Sequence, residues 1–197
     1  MINMDTLEVE SMTLPTSVLK DCRQNITRTT ADYESASADV FVETGSYDGR
    51  TIHQALYAGY NEVHSIELNV DYHEMCKRRF YNDERVHLYR GDSEIELGHV
   101  LANINIPATF WLDAHIQEGT VGLHAAPILH EIVAIRNHHI KNHILMIDDI
   151  RLMGRGWWQD VTLDAVKGLI LTINPRYKFE QVNSKAAARD ILIARVE

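Results

Sequence analysis

The chain has 197 residues, 45% hydrophobic and 24% charged, with 4 Pro and 10 Gly. That is enough chain for one well-cored domain, and the composition excludes a disordered or disulfide-framed protein. A formal charge of −9, from 28 acidic and 19 basic residues, argues against a binder of nucleic-acid backbones, which needs a basic face.

Cys22 and Cys76 are the only cysteines and have no C-x-x-C zinc spacing. The first twelve residues lack the basic and apolar regions of a signal peptide, and no apolar run reaches the roughly 18 residues that span a bilayer. A soluble protein of a reducing, cytoplasmic compartment is expected, with no nucleic-acid or membrane partner.

One domain is predicted, with residues 1–35 as a polar tail and cap helix and residues 39–197 as the core. In the cap segment, Thr16 or Ser17 opens a helix that aligns Val18, Leu19, Cys22 and Ile26 on one face. Strands are then predicted at 39–44, 63–68, 85–90, 108–113 and 143–148. Each is followed by a helical stretch, at about 50–60, 71–81, 93–104, 126–137 and 160–173. Asn174-Pro175 stops the last helix, and 177–182 with 189–196 read as a closing hairpin. Five strand–helix units imply an α/β fold: a doubly wound, Rossmann-like, mostly parallel seven-stranded sheet with a C-terminal antiparallel hairpin and helices on both faces.

Such sheets bind ligands outside the carboxyl ends of their strands. Those ends carry Glu43 to Asp48, Glu67, Gly91 to Ser93, Asp113 to His115 and Asp148 to Ile150, an acid at each. The first, Glu43-Thr44-Gly45-Ser46-Tyr47-Asp48-Gly49-Arg50-Thr51, is a glycine turn with G-x-x-x-G spacing rather than the dinucleotide G-x-G-x-x-G. Its glycines permit a tight turn and a close approach of backbone to ligand. Glu67, closing the second strand, suits both hydroxyls of a ribose, although a helix starting nearby also favours an acid. Asp92 and Ser93 stand where an adenine is read; Ser93 with Glu96 equally makes a capping box. Asp113, Asp148 and Asp149 should converge from neighbouring strands. Three carboxylates repel one another unless a cation sits among them, and oxygen ligation suits Mg²⁺ or Mn²⁺.

The runs VFVETGSYDGRT, VHSIELN, GDSEIEL, FWLDAH and LMIDDI, in this order, resemble the class I methyltransferases that use S-adenosylmethionine. More narrowly they resemble the metal-dependent small-molecule O-methyltransferases of catechol and macrocin type, over about residues 39–150. The resemblance implies that the glycine turn, with Glu43, Gly45, Tyr47, Gly49 and Thr51, lies along the cofactor's methionine part. It implies that Glu67 holds the ribose, that Asp92 and Ser93 meet the adenine, and that Asp113 contributes beside the cofactor. Asp113, Asp148 and Asp149 become the metal ligands.

The catechol-type base, a lysine three residues after the first metal aspartate, is replaced by Ile116. His115 is the candidate base, acting with Asp113 and Asp148. A sugar hydroxyl is a weaker acid than a phenol, so metal plus base is a sensible pairing. The expected activity is methyl transfer to a hydroxyl of a small-molecule or sugar acceptor. The alternatives are an NAD-dependent oxidoreductase, which shares the ribose logic but lacks its glycine motif, and a non-catalytic cofactor-binding domain of a larger glycan-building protein.

Three further features carry weaker expectations. The loop from Gln117 to Ala126 and the Leu14–Ile26 segment are placed over the site. Trp157 and Trp158, flanked by Gly154 and Gly156, read as either an aromatic lid or a packed corner. His139 and His143, at the amino end of the fifth strand, read as surface or packing residues.

Overall fold

All seven predicted strands form one sheet. The computed structural model describes residues 15–29, 40–115 and 126–197; the 1–14 tail and the predicted Gln117–Ala126 gate, but for Ala126, lie outside these, as does Ile116. The strands are β1 (Val40–Thr44), β2 (Glu62–Glu67), β3 (Val86–Arg90), β4 (Ala108–Leu112), β5 (Ile144–Ile147), β6 (Tyr177–Val182) and β7 (Ile191–Val196). Their order is β3-β2-β1-β4-β5-β7-β6. The first five run parallel, and β7 enters antiparallel beside β5.

The helices are α1 (Thr16–Thr29), α2 (Arg50–Ala58), α3 (Val70–Arg79), α4 (Ser93–Leu101), α5 (Ile128–Asn137) and α6 (Leu163–Ile173). Side chains alternate across each strand, so the sheet has two cores. Val40, Val42 and Ile66 pack with α4, α5 and α6 through Leu97, Ile132 and Val166. Phe41, Val63, Trp111 and Met146 pack with α1, α2 and α3 through Leu19, Cys22, Ile52 and Cys76. Burial on both faces explains why β1, β4 and β5 are unbroken apolar runs, whereas the edge strand β3 is half exposed. Helix α1 therefore caps the α2 face of β4 and β5; the Tyr60 hydroxyl fastens it by donating to the Leu19 carbonyl at 3.3 Å.

Helix starts follow capping chemistry. Asn69 accepts from the Asp71 and Tyr72 amides at 2.8 and 3.3 Å, and Thr162 accepts from Ala165 at 3.1 Å. Asp71 in the first turn of α3 and Lys77, Arg78 and Arg79 in its last complement the helix dipole. The capping box expected at Ser93 does not form. Asp92 is the cap, accepting from the Glu94 amide at 3.1 Å, and Ser93 turns inward and is buried.

The amino ends of β4 and β5 are tied by histidines. His143 Nδ1 accepts from the Ala108 amide at 3.0 Å, and its Nε2 lies 2.9 Å from His138 Nδ1. His138 Nε2 in turn lies 3.0 Å from the Ile104 carbonyl. Each ring then carries its single proton on Nε2, and both are neutral. His143 is thus the packing residue expected, with His138 rather than His139 as its partner; His139 is exposed.

Candidate active site

The sheet builds a rim at its carboxyl edge. One step beyond the strands, Gly45 donates to the Ile66 carbonyl at 2.9 Å, Gly91 to Glu67 at 3.0 Å, Asp113 to Thr44 at 3.2 Å and Asp148 to Leu112 at 3.3 Å. All five strand-end segments picked out in the sequence are therefore held in one row. The strand order reverses between β1 and β4, which places the switch point between the glycine turn and Asp113.

The glycines of that turn answer to packing. Gly45 has φ +86, and a Cβ there would meet the Asp113 carbonyl oxygen at 2.9 Å. Gly49, at φ +79, would strike the Phe80 ring at 2.8 Å and the Cys76 sulfur at 3.1 Å. They let β1 run close beside β4 and let α2 sit against α3, which leaves the residues between them on the rim. Tyr47 is among those, left-handed at φ 47, half exposed, with its ring 4.5 Å from that of Tyr72.

Glu67 is the joint of this region. Its Oε2 accepts from the Tyr47 amide at 2.8 Å and its Oε1 from the Asn69 amide at 2.7 Å. The carboxylate is fixed between the glycine turn and the start of α3, with the Ser46 and Leu68 amides also turned toward it. A carboxylate held this way can accept from a vicinal diol. Burial raises its pKa, and the backbone amides pull it back down.

Glu43 is fully buried. Ser65 donates to its Oε2 at 2.5 Å, Thr51 faces it from α2, and Ser46 meets Ser65 at 2.5 Å. Burial pushes the Glu43 carboxyl up to about 8, so at neutral pH it is mostly the protonated anchor of the turn. Asp92 caps α4, and Ser93 faces the buried carboxyl of Glu131 on α5 together with Thr44. Burial raises Glu131 to about 7.

The three carboxylates chosen as metal ligands fall into two overlapping sets. Ligand atoms of Asp113, His115 and Asp149 lie within 4.8 Å of one another, as do those of Asp148, Asp149 and Asp190. Asp149 belongs to both. It sits in the left-handed region at φ 57. Its Oδ1 receives the Arg151 guanidinium, which also binds Asp190, while its Oδ2 lies 3.5 Å from His115 Nε2.

A cation fits the first set. Burial, with Asp148, Asp149 and Glu43 nearby, raises Asp113 well above its ordinary value, and Oδ2 of Asp149 is the oxygen on the His115 side. Asp148 is 3% exposed, its Oδ1 has no hydrogen-bond partner among the described residues, and burial raises it to about 7.

His115 stands over this set, its side chain 28% exposed and its ring 6.4 Å, edge on, from that of Trp158. Trp158 is 5% exposed and belongs to the core with Val161 and Val166, which makes Trp158 a packed corner; the side chain of Trp157 lies outside what the structure describes. Asp190, Arg151 and Glu131 were missed in the sequence. Asp190 was findable, because an antiparallel β7 brings its first residues to the carboxyl end of β5. Glu131 was findable as a charge on the buried stripe Ile128, Ile132, Ile135.

No family model matches the chain, and a search among curated proteins finds no match. Solved structures do share its fold. It is similar to a Staphylococcus aureus protein provisionally assigned as a caffeoyl-CoA O-methyltransferase, with 12% identity, 93% of this chain and 85% of that one covered, and a TM-score of 0.58. It is similar to the SAH-bound methyltransferase PaMTH1 of Podospora anserina, with 13% identity, 95% and 91% covered, and a TM-score of 0.55. It is similar to SAM-bound CalS10 of Micromonospora echinaspora, an amino pentose methyltransferase of calicheamicin biosynthesis, with 10% identity, 92% and 91% covered, and a TM-score of 0.53. The architecture is the Rossmann-like methyltransferase fold, mixed seven-stranded sheet and closing hairpin included.

Proposed function

We propose that this chain is an S-adenosylmethionine-dependent O-methyltransferase acting on a hydroxyl of a small-molecule or sugar acceptor with the help of a divalent cation. The observation that carries the reading is Glu67, a carboxylate fixed at the end of β2 by the Tyr47 and Asn69 amides, beside the switch point where this fold holds its ligand. SAM- and SAH-bound neighbours of the same fold support the choice of cofactor. The amino pentose methyltransferase among them is in keeping with a sugar acceptor.

S-adenosylmethionine supplies an activated methyl group, and Mg²⁺ or Mn²⁺ supplies the charge that acidifies a hydroxyl. The rest is the work of the chain. Glu67 would accept from the ribose, the turn from Glu43 to Thr51 would carry the methionine part along Tyr47, and Asp92 would border the adenine, with Ser93 buried behind it against Glu131. Asp113 and Asp149, with Asp148 behind them, hold the cation. His115 takes the acceptor's proton on Nε2, 3.5 Å from Asp149, and the resulting imidazolium is stabilised by that carboxylate. The protein's contribution is then alignment and proton removal.

The test has three arms. S-adenosylhomocysteine raises the melting temperature and NAD does not; stabilisation by NAD alone would move the chain to the oxidoreductases. A panel of sugar and phenolic acceptors with S-adenosylmethionine, read by mass spectrometry, yields a product 14 mass units heavier; binding without any product would leave only a cofactor-binding domain. Chelation abolishes turnover and Mg²⁺ or Mn²⁺ restores it; full activity in chelator removes the cation from the mechanism.

A further inference from the structure

A second group of metal-ligating side chains lies away from the rim, on the α4 face of the sheet at its β2–β3 edge. His64 and His87 are direct partners in the β2–β3 register, and Glu62, two residues before His64, shares its face. Nε2 of His64 and Nε2 of His87 lie 2.8 and 3.7 Å from the same carboxylate oxygen, Glu62 Oε1. All three ligand atoms fall within 4.8 Å of one another. Two ligands on one tetrahedral zinc-type ion, with bonds near 2.0–2.1 Å, stand about 3.3 Å apart. The observed separations bracket that value.

We propose that Glu62, His64 and His87 form a binding site for a borderline transition-metal cation of the Zn²⁺ class. The donor set decides the class: two imidazoles and one carboxylate suit Zn²⁺, Ni²⁺, Co²⁺ or Cu²⁺, whereas Mg²⁺ and Ca²⁺ prefer oxygen. The site is preformed. The two imidazoles stack at 4.8 Å with their planes 26° apart, which directs both toward Glu62. His64 is buried at 3% exposure, and its far nitrogen, Nδ1, lies 3.0 Å from the Tyr89 hydroxyl. With Nε2 on the metal, Nδ1 carries the proton and donates to Tyr89, the kind of partner that fixes a ligating histidine's tautomer and orientation. Glu62 and His87 are 40% and 43% exposed at their side chains, so ions enter from solvent and water completes the coordination. The site is separate from the rim, where β2 ends at Glu67. Its ion would clamp the edge strand β3 onto β2.

The test uses Co²⁺ as a coloured probe in a background of Asp113→Asn and Asp149→Asn, which disables the rim. Visible ligand-field bands of a tetrahedral site appear on titration and are displaced by Zn²⁺. His87→Ala abolishes them while leaving the far-ultraviolet circular dichroism of the half-exposed position unchanged. Removing a ligand costs more than the roughly 10–100-fold lost with an outer partner, which Tyr89→Phe measures by itself. Zn²⁺ raises the melting temperature of the parent chain and not of His87→Ala. No bands in the background protein, or equal bands with and without His87, would overturn the assignment.

Discussion

Single side chains decide the chemistry at the rim, and Glu67 is the first to test. Its oxygens accept from the Tyr47 and Asn69 amides, at 2.8 and 2.7 Å, so the carboxylate is pre-oriented and a diol would donate to it without reorganisation. Glu67→Ala is expected to weaken S-adenosylmethionine binding by about 1–3 kcal/mol, roughly 5- to 150-fold by calorimetry; unchanged affinity would remove it from the site. His115 poses a sharper question, because its Nε2 shares a 4.8 Å neighbourhood with Asp113 and Asp149 and is placed either to take a proton or to ligate. As a base, its loss in His115→Ala lowers kcat on the order of 10²–10⁴-fold and leaves cation and cofactor affinity unchanged. His115→Gln, which hydrogen-bonds but does not shuttle protons at neutral pH, fails to rescue. A fall in cation affinity in step with activity would make His115 a ligand instead, leaving Asp148 as the candidate base.

At the level of elements, the sequence was most legible where burial is two-sided. Runs such as VFVET and ILMI announce strands because both faces meet helices, and their ends then locate Asp113, Glu67 and Asp148 without any side-chain information. What stayed hidden depended on orientation. Neither the left-handed turn that swings Asp149 toward His115 nor the inward rotation of Ser93 onto Glu131 has a periodicity to read. The glycine turn shows the same limit: its G-x-x-x-G spacing pointed to a ligand, while the contacts that require glycine are the Asp113 carbonyl and the Phe80 ring. Gly45→Ala tests this. The new Cβ meets backbone rather than a movable side chain, at 2.9 Å and at φ +86. A loss of about 1–3 kcal/mol in urea unfolding is expected, from overpacking plus left-handed strain. Gly168, which has open space around its Cβ position and lies inside α6, gains instead from Gly168→Ala, by up to about 1 kcal/mol. Equal effects at the two positions would contradict the packing account of the turn.

For the molecule as a whole, buried ionisable groups of opposite kind make stability a two-sided function of pH. His143 is completely buried in the β4–β5 tie, and burial lowers it from its ordinary 6.5 to about 3. Between those values the unfolded chain binds a proton that the folded chain refuses. Its contribution is therefore complete above pH 6.5 and declines as pH falls toward 3. Glu43 and Glu131 behave in reverse. Burial raises them from an ordinary 4.5 to about 8 and about 7, so the folded chain keeps protons that the unfolded chain has released. Their contribution is complete below pH 4.5 and is lost as pH rises to 7 and 8. Asp113 and Asp148, raised in the same direction, add to this alkaline limb. Each unshared proton tilts the curve by about 1.4 kcal/mol per pH unit. Between pH 4.5 and 6.5 the one proton of His143 works against those of Glu43 and Glu131, so these groups put the maximum at the acidic end of that range, and the protein should weaken further from pH 6.5 to 8. Urea unfolding across that range reads the curve directly. Glu43→Gln, which keeps the shape and one hydrogen bond to Ser65 but holds no titratable proton, should flatten the alkaline limb and leave the acid limb in place. Stability that climbs from pH 6.5 to 8 in the parent would mean that these carboxyls are ionised in the folded chain, and the protonated anchor beneath the glycine turn would have to be given up.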